Sequence, residues 1–279
     1  SGYAFSRRNQ FVGLGGGFGE FRFGRHDTPL KKGQGSFDRF NWTAADINDT
    51  IPGEDRVDNV LAYISPSFGG FNILAAALPG EDEANDVDGI ADHYSVMGMY
   101  NGGGLFASLA YNSYDLGANL GNGGHEPSLM RAVATYGMGP LEVGAIWADF
   151  DADGLGDALG AEDDSTSYGL SGAFDVTDSG TIKAQWLASD DSGVTKIGSV
   201  DLGGGNTVAD SGQFNTSAYN VRIPTLDGQE RSSITVGYDH SMSKRTKLYA
   251  FYKDVQLDDA PAGAEEDGSV MSLGVMHSF

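Results

Sequence analysis

The 279-residue chain contains no cysteine, which excludes a disulfide-stapled fold, a thiolate metal site and a cysteine nucleophile. Basic residues are also scarce, because 17 Lys and Arg stand against 39 Asp and Glu, and the formal charge is −22. Nucleic-acid partners are excluded on this ground, since phosphate neutralisation needs clustered Lys and Arg. The chain nevertheless has 40% apolar residues and 11% aromatic residues, which argues against disorder.

Long apolar runs are missing as well. The longest is the six-residue run 73–78, far short of the roughly 18 residues that a membrane-spanning helix needs. A helical membrane protein is therefore excluded. A membrane β-barrel is not, because its strands alternate in polarity and leave no continuous apolar signal.

The acidic residues concentrate in three segments that contain no Lys or Arg. These segments, 81–92, 149–164 and 254–267, hold 19 of the 39 acids. The negative charge therefore belongs to loops rather than to the framework between them. Two interpretations are open. The acidic segments are either solvated, solubilising loops or a surface that recruits divalent cations.

Between these loops the sequence alternates with a period of two residues. Leu141, Val143, Ala145 and Trp147 share one face of a predicted strand, and Glu142 lies on the other. Similar alternation recurs in segments of about ten residues, the length that a tilted strand needs to cross a membrane. No amphipathic helix of useful length competes with them.

The connections alternate between tight Gly-rich turns and long loops, as in an outer-membrane barrel. We predict an all-β fold, a transmembrane antiparallel β-barrel that forms a single domain over 1–279. The predicted strands are 3–14, 19–26, 56–65, 70–79, 92–101, 104–115, 128–137, 140–150, 166–176, 180–189, 231–241, 245–256 and 268–279. Single-chain bacterial barrels have even strand numbers. We therefore expect strands before Ser1 and 16 strands in the intact protein, while a hidden hairpin in 190–230 would change the count by two.

Several segments, in order and spacing, resemble the general diffusion porins of Gram-negative outer membranes. The resemblance covers nearly the whole chain, and the loops diverge. The resembling segments are 6–14 (SRRNQFVGL), 18–30 (FGEFRFGRHDTPL), 56–66 (RVDNVLAYISP), 243–249 (SKRTKLY) and 274–279 (GVMHSF).

The resemblance implies passive diffusion of ions and small hydrophilic solutes through a water-filled lumen. It also implies that the third long loop, 27–55, folds inward as a constriction with carboxylates facing wall arginines. The candidate loop acids are Asp38, Asp46, Asp49 and Glu54, and Phe37, Phe40 and Trp42 are expected to pack the loop against the wall. The candidate wall cations are Arg8 and Arg56 by motif, together with Arg22 and Arg25. Arg25 shares strand parity with Phe21 and Phe23, which leaves a subunit contact open for it.

The resemblance further implies a homotrimer in the outer membrane, in contact with lipopolysaccharide and outer-membrane lipid. Because basic residues are few and the long loops are acidic, we predict a preference for cations. The alternative is a substrate-specific channel for sugars or organic acids, since Tyr249 and Phe251 stand at possible lumen positions.

The last strand ends in Phe279, and its alternating apolar face resembles the signal read by the barrel-assembly machinery. An ordinary buried edge strand is the alternative. No motif places Ser beside His with an activating acid, so we predict neither enzymatic activity nor a cofactor.

One segment matches part of a calcium-binding loop. Asp149, Asp151, Asp153 and Asp157 occupy positions 1, 3, 5 and 9, but position 12 is Gly160 where a bidentate Glu belongs. A calcium site in these extracellular loops is one hypothesis. Diffuse divalent bridging to lipopolysaccharide is the other.

Overall fold

A computed structural model describes residues 8–79, 89–115, 126–151, 153, 164–190, 214–215, 219–221, 230–258 and 267–278. Its strands are β1 (Gln10–Gly16), β2 (Gly19–Asp27), β3 (Arg56–Ile64), β4 (Phe71–Leu78), β5 (His93–Gly102), β6 (Leu105–Tyr114), β7 (Ser128–Met138), β8 (Leu141–Asp151), β9 (Asp164–Thr177), β10 (Gly180–Ser189), β11 (Phe214–Asn215), β12 (Tyr219–Val221), β13 (Glu230–Ser241), β14 (Thr246–Asp258) and β15 (Asp267–His277). Thirteen of them form one antiparallel sheet in chain order, from β1 to β10 and then β13 to β15.

The predicted strands after the first agree closely with the observed ones, because tight turns and period-two patterning both set strand limits. The first differs: the strand predicted at 3–14 is Gln10–Gly16 in the structure, and residues 3–7 lie outside the described ranges. Within 190–230 the described residues include the short pair β11 and β12, of which β12 pairs with β3 at Val57 and Arg56. This pair lies beside the sheet and adds no strand to its path. Within the described ranges, β1 and β15 end the sheet and do not pair with each other. No helix in those ranges is long and apolar enough to cross a membrane.

The two faces of the sheet differ in chemistry. The outer face exposes large apolar side chains, with aromatic residues toward both strand ends, as in the girdles of membrane barrels. Toward the short turns these are Phe21, Phe71, Tyr136, Phe174 and Tyr238, and toward the long connections they are Tyr94, Trp147, Tyr168 and Trp186. The alternation predicted for β8 is confirmed, because Val143 and Trp147 are exposed while Ile146 and Ala148 are buried.

The inner face is covered by the segment 28–55 between β2 and β3, which we call the inner loop. It begins with a one-turn helix, α1 (Pro29–Lys32), capped by the Thr28 side chain, and it contains a 3-10 turn at Ile47–Asp49. The Leu30 amide donates to Ser95 Oγ of β5 at 3.2 Å, and Ser108 Oγ of β6 donates to the Gly33 carbonyl at 2.6 Å. The inner loop thus runs along the inside of the sheet rather than away from it.

Glycines on the inner face make room for two aromatic side chains of the inner loop. A Cβ at Gly144 or Gly169 would stand 3.3 Å or 3.1 Å from the Phe37 ring, and one at Gly237 would stand 2.7 Å from the Phe40 ring. Both rings are buried. The loop is therefore seated by shape as well as by hydrogen bonds, since interiors pack closely.

Candidate functional site

Residues 39–45 form the tip of the inner loop. The part of the inner face that this tip contacts is built from polar groups on β8, β9 and β10. The Arg39 amide donates to Gln185 Oε1 at 3.0 Å, and its Nη1 lies 2.6 Å from Glu142 Oε1. Arg39 Nε also donates to Ser171 Oγ at 3.2 Å. Here the loop supplies the cation and the wall supplies the carboxylate, which reverses the arrangement expected from the resemblance.

An acid with two basic neighbours links the far part of the inner loop to β13 and β14. Asp49 Oδ2 lies 3.2 Å from Arg231 Nη2 and also forms an ion pair with Lys253 Nζ. We call these three residues the Asp49 cluster. Lys253 is almost fully buried and the Asp49 side chain is 32% exposed, so this end of the loop is held by a partly solvated ion pair. The cluster has two cations and one anion.

A second cluster with the same composition lies on β10, β13 and β14. Asp239 Oδ1 is 2.9 Å from Lys183 Nζ, and Asp239 Oδ2 is 2.7 Å from Lys247 Nζ. These residues form the Asp239 cluster. Lys183 Nζ also donates to the Arg39 carbonyl at 2.7 Å and lies 4.5 Å from the centre of the Phe40 ring. The Asp239 cluster therefore joins the wall to the loop tip and carries an excess of positive charge.

Near β7 the loop returns to the wall through a buried ion pair. Arg131 Nη1 lies 2.7 Å from Glu54 Oε1, and the two side chains are 0% and 5% exposed. Arg131 Nη2 also donates to the Pro52 carbonyl. Because removing one partner of a buried pair leaves an uncompensated charge, this contact is a strong constraint on the loop.

Asp38 and Asp46 are both engaged within the inner loop rather than with cations of the wall. Burial, and after it the Asp46 carboxylate, raise the pKa of Asp38 to about 8, so this acid is mostly neutral at pH 7. Asp38 Oδ2 is buried without a hydrogen-bond partner. The Asp46 carboxylate caps the loop, since it accepts hydrogen bonds from the Asn48 amide at 3.1 Å and the Trp42 amide at 3.0 Å. The interpretation of Asp38 as a constriction anion is wrong because this acid is mostly neutral, and Asp46 contacts amides of the loop rather than the arginines expected from the motifs.

The candidate loop acids therefore divide by what they contact. Asp49 and Glu54 do face cations of the wall, but the partners are Arg231, Lys253 and Arg131 rather than the arginines expected from the motifs. The inner loop is fastened to the wall at several points along its length.

The four candidate wall arginines lie elsewhere. Arg56 Nη2 pairs with Asp27 at 2.6 Å, and Arg22 Nε pairs with Glu20 at 2.8 Å. Arg25 pairs with Asp58 at 2.6 Å on the strand face that carries exposed Phe21 and Phe23, so strand alternation turns it away from the lumen.

Arg8 stands just before β1, and its guanidinium lies 3.6 Å from the centre of the Trp42 ring. Among the described contacts, none of the four arginines pairs with Asp38, Asp46, Asp49 or Glu54, which corrects the expected pairing.

Two aromatic expectations also change. Phe251 is buried against Phe40, with ring centres 5.7 Å apart, so it seats the loop and is not open to solutes. Trp42 was expected to pack against the wall, but its side chain is 55% exposed. Tyr249 stacks on Phe251 at 6.0 Å and stays partly exposed.

The basic residues that meet the loop were missed by motif matching. Arg131, Lys183 and Lys253 stand at inner positions of otherwise apolar or neutral strand ladders, and this alternation was the available signal. Strand parity alone could have placed them on the inner face. It could not have shown which of them the loop would reach.

The carboxylates of the calcium hypothesis form hydrogen bonds instead of converging. Asp151 Oδ1 accepts from the Asp153 amide at 2.9 Å, Asp153 Oδ2 accepts from the Glu126 amide at 2.7 Å, and Asp149 Oδ1 accepts from Thr166 Oγ1 at 3.2 Å. No group of three or more His, Cys, Asp or Glu in the described ranges could hold a metal ion. Asp157 and Phe279 lie outside the described residues.

Comparison with known proteins finds a matching family and solved structures with the same architecture. The Gram-negative porin family profile matches residues 1–260. Outer membrane porin protein 32 of Delftia acidovorans is 29% identical over 307 residues, covering 100% of this chain and 75% of that protein. The solved anion-selective porin from Comamonas acidovorans shares the fold with a TM-score of 0.66 at 23% identity, over 98% of this chain and 78% of that one.

The trimer form of OmpT from Vibrio cholerae aligns with a TM-score of 0.58 at 14% identity, over 97% of this chain and 80% of that one. These likenesses confirm the predicted transmembrane β-barrel and the outer-membrane location. The chain belongs to the Gram-negative porin family.

Proposed function

We propose that the protein is a water-filled channel for passive diffusion of ions and small hydrophilic solutes, narrowed by the inner loop. The observation that carries this proposal is the fastening of the inner loop across the inner face by Glu54–Arg131, Arg39–Glu142 and the Asp49 cluster. A loop held at so many points narrows the lumen permanently. Charged groups at such a constriction govern which ions pass.

We call the constriction between the inner loop and the wall, with the Asp49 and Asp239 clusters, the throat. The balance of charge at the throat supports a preference for anions. Asp49 and Asp239 each face two cations, and Asp38 is mostly neutral at pH 7. The similar porin from Comamonas acidovorans is described as anion-selective. The cation preference predicted from composition rests on acidic segments that lie largely outside the described residues, and the Asp49 and Asp239 clusters among the described residues do not support it.

Salt concentration separates the two contributions. The screening length is about 3 Å at 1 M salt and about 30 Å at 0.01 M. The acidic segments expected at the channel mouth attract ions from a distance, so they contribute in dilute salt and are screened at 1 M. The throat clusters contribute at both concentrations because ions pass directly beside them. We therefore expect anion selectivity at molar KCl, shifting toward cations in dilute KCl.

The test is the reversal potential of the purified protein in a planar bilayer under KCl gradients of high and low mean concentration. The variant Lys183→Gln/Lys247→Gln should lose most of the anion preference at molar salt. Lys244→Gln, which removes the same type of charge from the exposed turn between β13 and β14, is the matched control. Cation selectivity of the unaltered protein at molar salt would contradict the proposed role of the throat.

A substrate-specific channel is the second candidate, favoured by the exposed aromatic side chain of Trp42 at the loop tip. Saturable block of the current by one class of solute would distinguish it from a general channel.

For assembly, we propose a homotrimer, in keeping with the trimer form of the similar Vibrio cholerae protein. Mass measurement in detergent tests this proposal. Contacts with lipopolysaccharide and with the barrel-assembly machinery stay predictions.

A further inference from the structure

Two buried polar atoms behind the inner loop have no hydrogen-bond partner among the described residues. Arg131 on β7 donates through Nη1 to Glu54 and through Nη2 to the Pro52 carbonyl, but its Nε–H has no acceptor. Asn112 on β6 donates through Nδ2 to Tyr114 Oη, but its Oδ1 has no donor. Both side chains are 0% exposed. Because burying a polar atom without a partner costs free energy, the two atoms indicate a bound ligand.

The two residues are neighbours on the inner face. In the pairing of β6 with β7, Arg131 stands opposite Ala110 and Asn112 stands opposite Leu129. Arg131 and Asn112 are therefore diagonal neighbours, whose Cα atoms lie about 7–8 Å apart in an antiparallel pair. This spacing leaves room for one small molecule between the Arg131 Nε–H and Asn112 Oδ1, since both side chains turn their other polar atoms toward other partners.

The orientation of the Asn112 amide is set by the hydroxyl beside it. Tyr114 Oη donates its only proton to Asp55 Oδ2 at 2.8 Å, so it acts as an acceptor toward Asn112. Asn112 therefore turns its NH2 group toward Tyr114 and leaves its oxygen unpaired. With the amide turned over, two oxygens would meet without a proton between them. The free atom of Asn112 is thus an acceptor, whereas the free atom of Arg131 is a donor.

The ligand must accept a hydrogen bond on one side and donate one on the other. A metal cation would be repelled by the Arg131 guanidinium, and an anion would meet the Asn112 oxygen and the buried carboxylates of Glu54 and Asp55. The inner loop closes over the wall here, because a Cβ at Gly53 would stand only 3.1 Å from Arg131 Nη2. Water is the small molecule that satisfies both atoms in so little space.

We propose that one internal water molecule binds between Arg131 and Asn112, accepting from Nε–H and donating to Oδ1. We call this place the Asn112 water site. Its water orients the Arg131 guanidinium toward Glu54, so it belongs to the fastening of the inner loop and is separate from the water that conducts ions. Tyr114 Oη has a second acceptor position, which suits the other proton of the water. The inference goes beyond the proposed channel function, because it concerns how the loop is held.

A crystal structure of the purified protein, at a resolution that shows ordered water, tests the Asn112 water site. We expect one density peak about 2.7–3.2 Å from both Arg131 Nε and Asn112 Oδ1. Asn112→Leu should lose the peak, because leucine has a similar size and no acceptor. Tyr114→Phe is the matched control, since it also breaks the bond between Asn112 and Tyr114 but keeps both partners of the water, and it should keep the peak.

Three outcomes in the crystal would overturn the inference. These are a direct hydrogen bond between Arg131 Nε and Asn112 Oδ1, the lack of a peak in the unaltered protein, and a peak that stays in Asn112→Leu. The first two need no variant, so the test holds even where Asn112→Leu fails to fold.

Nuclear magnetic resonance of the unaltered protein in detergent gives a second measurement. The Arg131 Nε–H proton, assigned by the loss of its signal in Arg131→Met, should show a nuclear Overhauser contact with a long-lived water. The lack of this contact would also overturn the inference. Absence of channel steps in a bilayer would overturn the proposed function alone, since neither measurement of the Asn112 water site depends on conductance.

Discussion

Replacing Asp38 with asparagine should stabilise the protein, and increasingly so as the pH rises from about 4 to about 8. Burial raises the pKa of Asp38 from 3.8 to about 8, with Asp46 and Glu54 adding to the rise and hydrogen bonds from the Phe40 and Ile47 amides opposing it. A folded-state pKa above the unfolded value means that the folded protein holds a proton which the unfolded chain releases. The stability associated with the protonated carboxyl is therefore complete below pH 4 and is lost as the pH rises toward 8.

The magnitude follows from about 1.4 kcal/mol for each pH unit. At pH 7 the wild-type protein should be less stable than Asp38→Asn by up to about 4 kcal/mol, while near pH 4 the two should be similar. Asparagine keeps an oxygen that can accept from the Phe40 amide, now 3.0 Å from Asp38 Oδ1. It also removes the charge that burial opposes.

The assay is guanidinium unfolding in detergent micelles at pH 5, 7 and 9 for wild type, Asp38→Asn and Asp178→Asn. Asp178 lies in the exposed turn between β9 and β10 and serves as the control. The difference between Asp38→Asn and wild type should grow from pH 5 to pH 7 and level off above 8. A difference that is constant with pH, or a destabilised Asp38→Asn, would refute the reasoning.

Further changes test the fastening of the inner loop and the calcium hypothesis. Arg131→Met should lower unfolding stability by up to about 3–5 kcal/mol because it leaves the buried Glu54 carboxylate with only its longer ion pair to Lys31 Nζ at 3.8 Å, and Arg131→Met/Glu54→Met should recover most of the loss; equal losses in both would contradict a pair-specific role. Gly237→Val should expel Phe40 from its seat, increase single-channel conductance and cost about 1–3 kcal/mol. Gly98→Val, at an outer position with no atom within 4 Å of its Cβ, is the control and should leave conductance unchanged. A calcium titration by calorimetry should give no binding heat from Asp149, Asp151 and Asp153, because their described carboxylates accept hydrogen bonds and do not form a metal-holding group; heat that Asp151→Asn/Asp153→Asn removes would contradict this and restore a specific site.

The fold could be predicted from the sequence because each strand carries its own local signal. Trp147 and Ile146 already distinguish the two faces of β8, and the Gly-rich turns mark where strands reverse. The limits of the inner loop were equally clear, since recognisable strands flank it. Its inward course was inferred from resemblance and not from its own residues.

The throat could not be predicted in the same detail because its contacts join residues distant in sequence. Asp49 meets Lys253, which is 204 positions away, and Arg39 meets Glu142, which is 103 positions away. No local pattern shows that Asp38 is buried or that Asp46 caps a turn. Inner-face glycines such as Gly169 were a usable signal. A glycine at an inward position of a strand indicates that another group packs against the backbone there.

The central claim is that the inner loop narrows a conducting barrel and gives its throat a positive character. The most direct test is single-channel recording of the purified native protein in a planar bilayer under a molar KCl gradient, with conductance and reversal potential read together. We expect ohmic steps with an anion-sided reversal potential. Silent membranes, or a cation-sided reversal potential at molar salt, would contradict it.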